Sequence, residues 1–223
     1  MKRAQKQKPY SGFFITLEGG EGAGKSTLAK LLGEQLTDRG YDCILTHEPG
    51  GTELAEKIRT LLLDPEQKAT ICTRAELFLF LAARCQHLEQ LILPALHAGK
   101  VVICDRFSDS TIAYQGCARH LGMSEVEEIC LHATHQMEPE VTFLLDLDPA
   151  VGLERVVNQR QSTLDRLEKE ALEFHREVRQ GFLHLADAHP ERISVLDASQ
   201  TPSELVDQMV NFLWSAKALP SLL

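Results

Sequence analysis

The stretch from Phe13 to Gly40 constrains this chain more than any other. An apolar run, FFITL, leads to a glycine cluster, and leucines then recur at helical spacing (Leu28, Leu31, Leu32, Leu36) until Gly40 closes the segment. A strand must feed a helix through a loop that is almost bare backbone. That loop, Gly19 to Ser26, reads GGEGAGKS and satisfies G-x-x-x-x-G-K-[ST]. Gly19, Gly20, Gly22 and Gly24, with the small Ala23, let successive N–H groups converge on one anion, and the helix N-terminus at Thr27 adds its positive end. Lys25 can then reach the outer phosphates, and the Ser26 hydroxyl can ligate Mg²⁺. A glycine turn that binds nothing is the bland alternative, set against a full motif match that also has the required strand and helix flanks.

Four further β-rich runs follow at Tyr41 to Thr46, Val101 to Cys104, Val141 to Asp146 and Ile193 to Asp197, each separated by helix-length segments. Five strands alternating with helices predict an α/β fold: a five-stranded parallel sheet covered by helices on both faces. Thr73 and Glu76 have capping-box spacing at the head of a long helix through about Leu93, and Thr201, Pro202 and Glu204 repeat that logic before the last helix. With no internal repeat and no Pro-, Gly- or Ser-rich linker, residues 13–223 are expected to form one domain. Residues 1–12, with four cations and no apolar periodicity, read as a flexible basic arm.

Composition narrows the function. The net charge of −9 is the reverse of what a phosphate-backbone binder needs, so nucleic acid is not the expected partner. No apolar run reaches membrane-spanning length, the N-terminus lacks a secretory apolar core, and six cysteines include no C-x-x-C pair. A reducing cytoplasm is the expected setting. Cys130, His132 and His135 lie close together, but no partner pair completes a zinc site.

Within phosphate-loop proteins, the N-K-x-D guanine reader is missing. Instead the third strand ends in Cys104-Asp105-Arg106, at the sheet edge where open α/β folds place ligands. Asp105 can hold a metal's water shell while Arg106 grips a second phosphate; a plain surface ion pair is the competing reading. Phe80 and Arg84, four residues apart, share a helix face and together offer a nucleobase a stacking plane and directional donors. The FLFL run around Phe80 also fits ordinary core packing.

Taken together, LEGGEGAGKST (Leu17 to Thr27), HEPGGT (His47 to Thr52), AEKIRTLLLD (Ala55 to Asp64), FLAARCQ (Phe80 to Gln86), DRFSDSTIAYQG (Asp105 to Gly116) and LDLDP (Leu145 to Pro149) strongly resemble the bacterial thymidylate kinase family. The resemblance implies ATP-dependent phosphorylation of dTMP to dTDP on a nucleoside monophosphate kinase fold, with Mg²⁺, as a homodimer. It also implies that Phe80 stacks on thymine, that Arg84 and Thr111 meet its polar edge, and that Arg59 and Arg106 hold the dTMP phosphate. Glu21 would face the deoxyribose and acceptor end, Tyr114 and Gln115 would exclude a 2′-hydroxyl, and Pro49 would bend the chain after the second strand.

One departure concerns the lid. The middle of the phosphate loop, Glu21-Gly22-Ala23, carries no cation, which resembles the subtype that places its catalytic cation in a mobile lid. The candidate lid, residues 155–168 (RVVNQRQSTLDRLE), offers Arg160, with Arg155 and Arg166 as fallbacks for adenosine contact or bracing. Gln161 stands where the family has glycine. Because a phosphate acceptor has its second pKa near about 6, no strong general base is needed, and the work is cationic clamping by Lys25, Arg106, Mg²⁺ and a lid arginine. A deoxynucleoside kinase, which would need a carboxylate base, and a non-catalytic nucleotide binder remain open alternatives.

Overall fold

The computed structural model describes residues 10–65, 71–159, 164–215 and 219. Five strands, β1 (Phe13–Gly19), β2 (Cys43–His47), β3 (Val101–Asp105), β4 (Val141–Asp146) and β5 (Ile193–Asp197), form one all-parallel sheet in the order β2-β3-β1-β4-β5. The expected α/β architecture is therefore observed. On one face Ile15, Leu17, Ile103 and Phe143 pack against Leu28 and Leu32 of α1 (Lys25–Thr37) and Met209 of α9 (Pro202–Ser215). On the other, Leu144 packs against α8 (Leu172–Ala188), and Phe14, Val102 and Cys104 pack near α4 (Leu93–His97).

From β1 the chain crosses to β2 at one edge, and from β3 it crosses back over β1 to β4. Right-handed crossovers in opposite directions lie on opposite faces, so the sheet has its switch point between the carboxyl ends of β1 and β3. The register sets Leu17 beside Asp105. The phosphate loop and the Asp105-Arg106 pair thus leave the sheet side by side.

Several sequence expectations are corrected. The helix α3 starts at Thr73 itself and ends at His87, continuing as a π-helical turn, Leu88–Ile92, and then as α4 to His97. Pro94 has no N–H to give the Gln90 carbonyl, and the helix loses its regular ladder just ahead of it. Thr73 makes no side-chain cap; Glu76 is buried and accepts from Gln115 at 2.8 Å and Arg119 at 3.2 Å. The Thr201 box does form, with the Thr201 N–H 3.0 Å from the Glu204 carboxylate and the Glu204 N–H 3.4 Å from the Thr201 hydroxyl. Nor is the whole of 1–12 a free arm: the Tyr10 hydroxyl donates to Glu140 and the Gly12 N–H to the Leu96 carbonyl, while residues 1–9 lie outside the described residues. Among the described residues, no helix is long and apolar enough to cross a membrane.

Candidate active site

A cleft of about 810 Å³ opens at the switch point, within the range of small-molecule sites. Its floor is the phosphate loop from Glu21 to Ser26, in which Gly24 turns through the left-handed region (φ 91°) before α1 begins at Lys25. The Lys25 ammonium is not solvent-facing: the residue is only 7% exposed and donates to the carbonyls of Gly19 (3.1 Å) and Gly20 (2.7 Å). Burial, joined by repulsion from Arg106, pulls its pKa down to about 8 against the neighbouring carboxylates. Ser26 Oγ donates to the Asp105 carboxylate. Two hard oxygen donors in contact at the cleft wall suit a cation such as Mg²⁺.

Asp105 and Arg106 point to different partners, so the plain ion-pair reading fails. Arg106 sits at φ 74°, a rare conformation for an L side chain. Its guanidinium donates to Gly19 O (3.0 Å), Ser110 Oγ (3.1 Å), the Glu21 carboxylate (2.9 Å) and the Tyr114 hydroxyl (3.3 Å), and lies over the Tyr114 ring. Burial alone would raise the Glu21 carboxyl, but Arg106 and Lys25 together bring it down to about 2. Tyr114 also donates to Glu21 at 2.7 Å, and its ring packs edge-on to Phe174 and Phe182. Beneath them, burial beside Asp109 pushes the Glu18 carboxyl up to about 8, although Ser110, Arg106 and the Phe107 N–H favour the carboxylate.

The opposite wall comes from α2 (Glu53–Leu63) and α3. Phe80 is half-buried and lines the cleft; Arg84, one turn on, is fully buried and largely committed. Its Nε donates to Glu48 (2.7 Å) and its Nη2 to the Thr111 hydroxyl (2.9 Å). Glu48 is held in turn by His87 at 3.0 Å, and the bond between Glu48 and Pro49 is cis. Arg59 donates to the Pro49 carbonyl at 2.8 Å. Gln115 faces Glu76 rather than the open cleft, although the residue still contributes to its lining.

The candidate lid divides into three parts. Arg155 lies in α7 (Pro149–Gln159), donates to Ala198 O at 3.1 Å and lines the cleft beside Gln200 and Pro202. Arg160 lies outside the described residues. Arg166 is 1% exposed, pairs with Glu76 at 2.5 Å and donates to Leu62 O at 2.7 Å, which ties its own segment to α2 and α3. Helix α7 meets the phosphate loop backbone to backbone. A Cβ on Gly22 would fall 2.1 Å from Gly152 O, and one on Gly152 would fall 2.2 Å from Glu21 O.

Sequence reasoning gave no role to Glu48, Ser110 or Gly152, and gave Glu76 only a place in a helix cap. Glu48 stands inside HEPGGT and Ser110 inside DRFSDSTIAYQG, so the motifs held both; the partners of Glu76 and Gly152 are distant in sequence and left no local signal.

The thymidylate kinase family model matches residues 17–210. A thymidylate kinase of Protochlamydia amoebophila is 48% identical over 94% of this chain and 97% of its own length, and one from Chlamydia trachomatis is 50% identical over 87% and 95%. A crystal structure of thymidylate kinase from Ehrlichia chaffeensis superposes with a TM-score of 0.74 at 32% identity, covering 92% of this chain and 99% of that one. A family match across nearly all of the sheet, joined to relatives of this similarity and coverage, shows that the chain belongs to the thymidylate kinase family.

Proposed function

We propose that this chain phosphorylates dTMP to dTDP at the expense of ATP, with the two nucleotides meeting in the one cleft between the phosphate loop and α3. The observation that carries the reading is the gathering of Lys25, Arg59, Arg106 and Arg155 around that cleft in a chain of net charge −9. Local field rather than net charge decides whether two polyanions can approach.

The ATP phosphates lie along the N–H groups of residues 19–27, with Lys25 turning from its two carbonyls to the outer phosphates. Arg155 takes the adenosine side, near Ala198 and Gln200. Ser26 and Asp105 hold Mg²⁺ with its water shell, which when bound neutralises charge on the phosphate tail. Facing it, dTMP stacks its base on Phe80, with Thr111 and Arg84 at the polar edge and its phosphate between Arg59 and Arg106. Glu21 and Tyr114 close on the sugar, and Gln115 and Pro49 shape that wall. Already ionised, the acceptor oxygen needs alignment and charge neutralisation rather than a base. The remaining cation is assigned to Arg160, within the candidate lid at 155–168, although Arg160 itself lies outside the described residues.

Residues 13–223 act as one kinase domain, and two copies associate. Exposed Leu54 and Leu61 on α2 and Phe78 on the adjoining α3 support an apolar face for the second copy. A coupled assay with ATP, Mg²⁺ and dTMP, dUMP, thymidine and dCMP in parallel tests the reaction. Turnover of dTMP well above the others is expected; preference for thymidine would overturn the reading in favour of a nucleoside kinase.

A further inference from the structure

Arg106 works from an awkward position. Its backbone lies in the left-handed region (φ 74°), and its side chain must cross the mouth of the phosphate loop to reach Glu21. Something has to hold both the turn and the guanidinium. Two groups from the end of β1 do so on the backbone side: Leu17 O accepts the Arg106 N–H at 3.0 Å, and the Glu18 carboxylate accepts the Phe107 N–H at 2.7 Å. The other Glu18 oxygen accepts from Ser110 Oγ at 2.5 Å, and Ser110 Oγ accepts from Arg106 Nη1 at 3.1 Å.

We propose that Glu18 is a positioning residue for Arg106, fixing the turn through the Phe107 N–H and the guanidinium through Ser110. The proposal rests on the reading of Arg106 as the ligand of the dTMP phosphate. The chemistry of the hydroxyl explains the arrangement. Ser110 has one proton to give; the Glu18 carboxylate takes it, which leaves the Oγ lone pairs for the guanidinium. A protonated Glu18 would donate to the same Oγ, whose second lone pair still meets Nη1, so the clamp survives either state. Because Glu18 is 0% exposed on the second-last position of a central strand, it cannot follow solvent or ligand, and it holds its two partners at a fixed separation. A carboxylate whose only task was to fill the core would be a costly choice at such a site.

The test measures binding of dTMP and of thymidine to the full chain by calorimetry, with thermal melts to confirm folding. Thymidine lacks the phosphate, so a change that acts through Arg106 must weaken dTMP and spare thymidine. Ser110→Ala removes one acceptor of a charged donor and should weaken dTMP about tenfold. Glu18→Leu should weaken it at least as much, whereas Glu18→Gln keeps an oxygen for Phe107 and an NH₂ for Ser110 and should stay within about threefold of wild type. In an Arg106→Ala background, Ser110→Ala should add nothing. If Glu18→Leu fails to fold, Ser110→Ala alone and the cycle with Arg106 still decide the matter. If Arg106→Ala leaves dTMP affinity intact, the reading of Arg106 is wrong and the inference falls with it. If Arg106→Ala weakens dTMP but Ser110→Ala does not, or if thymidine weakens equally, or if the two losses multiply, Glu18 merely supports the fold.

Discussion

In an Arg84→Ala variant a buried carboxylate is left behind. Glu48 is 4% exposed and would lose the guanidinium 2.7 Å away, keeping only His87 at 3.0 Å. Thr111 would lose its donor, and the face of Phe107, 5.1 Å from the guanidinium carbon, would lose its cover. Breaking a buried pair from one side costs about 3–5 kcal/mol. In a chain of this size that corresponds to a melting temperature lower by roughly 10 °C. Urea unfolding should show a lower midpoint, and Glu48→Gln added to Arg84→Met should restore part of the loss, since no charge is then stranded. The pH dependence should also change sign. In the wild type, burial would raise the Glu48 carboxyl, but Arg84 and His87 overcome it and hold the pKa low. A carboxyl with a lowered folded pKa contributes stability above its unfolded pKa and loses it as pH falls through the folded value. Without Arg84 the burial effect prevails, so Arg84→Ala should gain stability as the pH is lowered from 7 toward 5 and the gap to wild type should narrow. A variant that melts within about 2 °C of wild type while its KM for dTMP rises would refute the reasoning and make Arg84 a free base reader.

Three other outcomes can be checked directly. Lys25→Ala should lower kcat more than tenfold, a barrier change above about 1.4 kcal/mol, while the melt shows a folded protein; retention of a tenth of the activity would remove Lys25 from the chemistry. Phe80→Ala should raise KM for dTMP and leave KM for ATP unchanged in steady-state assays, because its ring lines the cleft from α3; a fall in ATP affinity would put it elsewhere. Thr201→Ala removes the acceptor for the Glu204 N–H at the start of α9 and should lower the melting temperature by about 2–4 °C with no kinetic effect.

The sheet was legible because parallel, two-face-buried strands leave continuous apolar runs, and FFITL and VTFLLD could be read as such. The phosphate loop was legible because its mechanism is local: every group it needs lies within eight consecutive residues. Glu76 was not. T-x-x-E serves equally for a cap and for a helix that turns its glutamate inward, and what decides is Arg119 and Arg166, many residues away. Arg84 shows the same limit from the other side. Its spacing from Phe80 placed it on the right helix face, yet spacing could not reveal that Glu48 and Thr111 already occupy two of its nitrogens. Nor does the sequence carry any sign that the Lys25 side chain folds back onto the carbonyls of its own loop.

The contact of Gly22 with Gly152 makes two places in the gene behave as one. In a saturation-mutagenesis screen, losses of function would ordinarily be sought at the phosphate-loop codons. Gly152 lies in a helix 130 residues downstream, three residues past the end of LDLDP, yet any side chain there would strike the loop backbone at Glu21, 2.2 Å from its oxygen. Even Gly152→Ala should therefore score like a phosphate-loop lesion. Compensating changes should be sought where α7 can shift away from the loop, rather than within the loop itself.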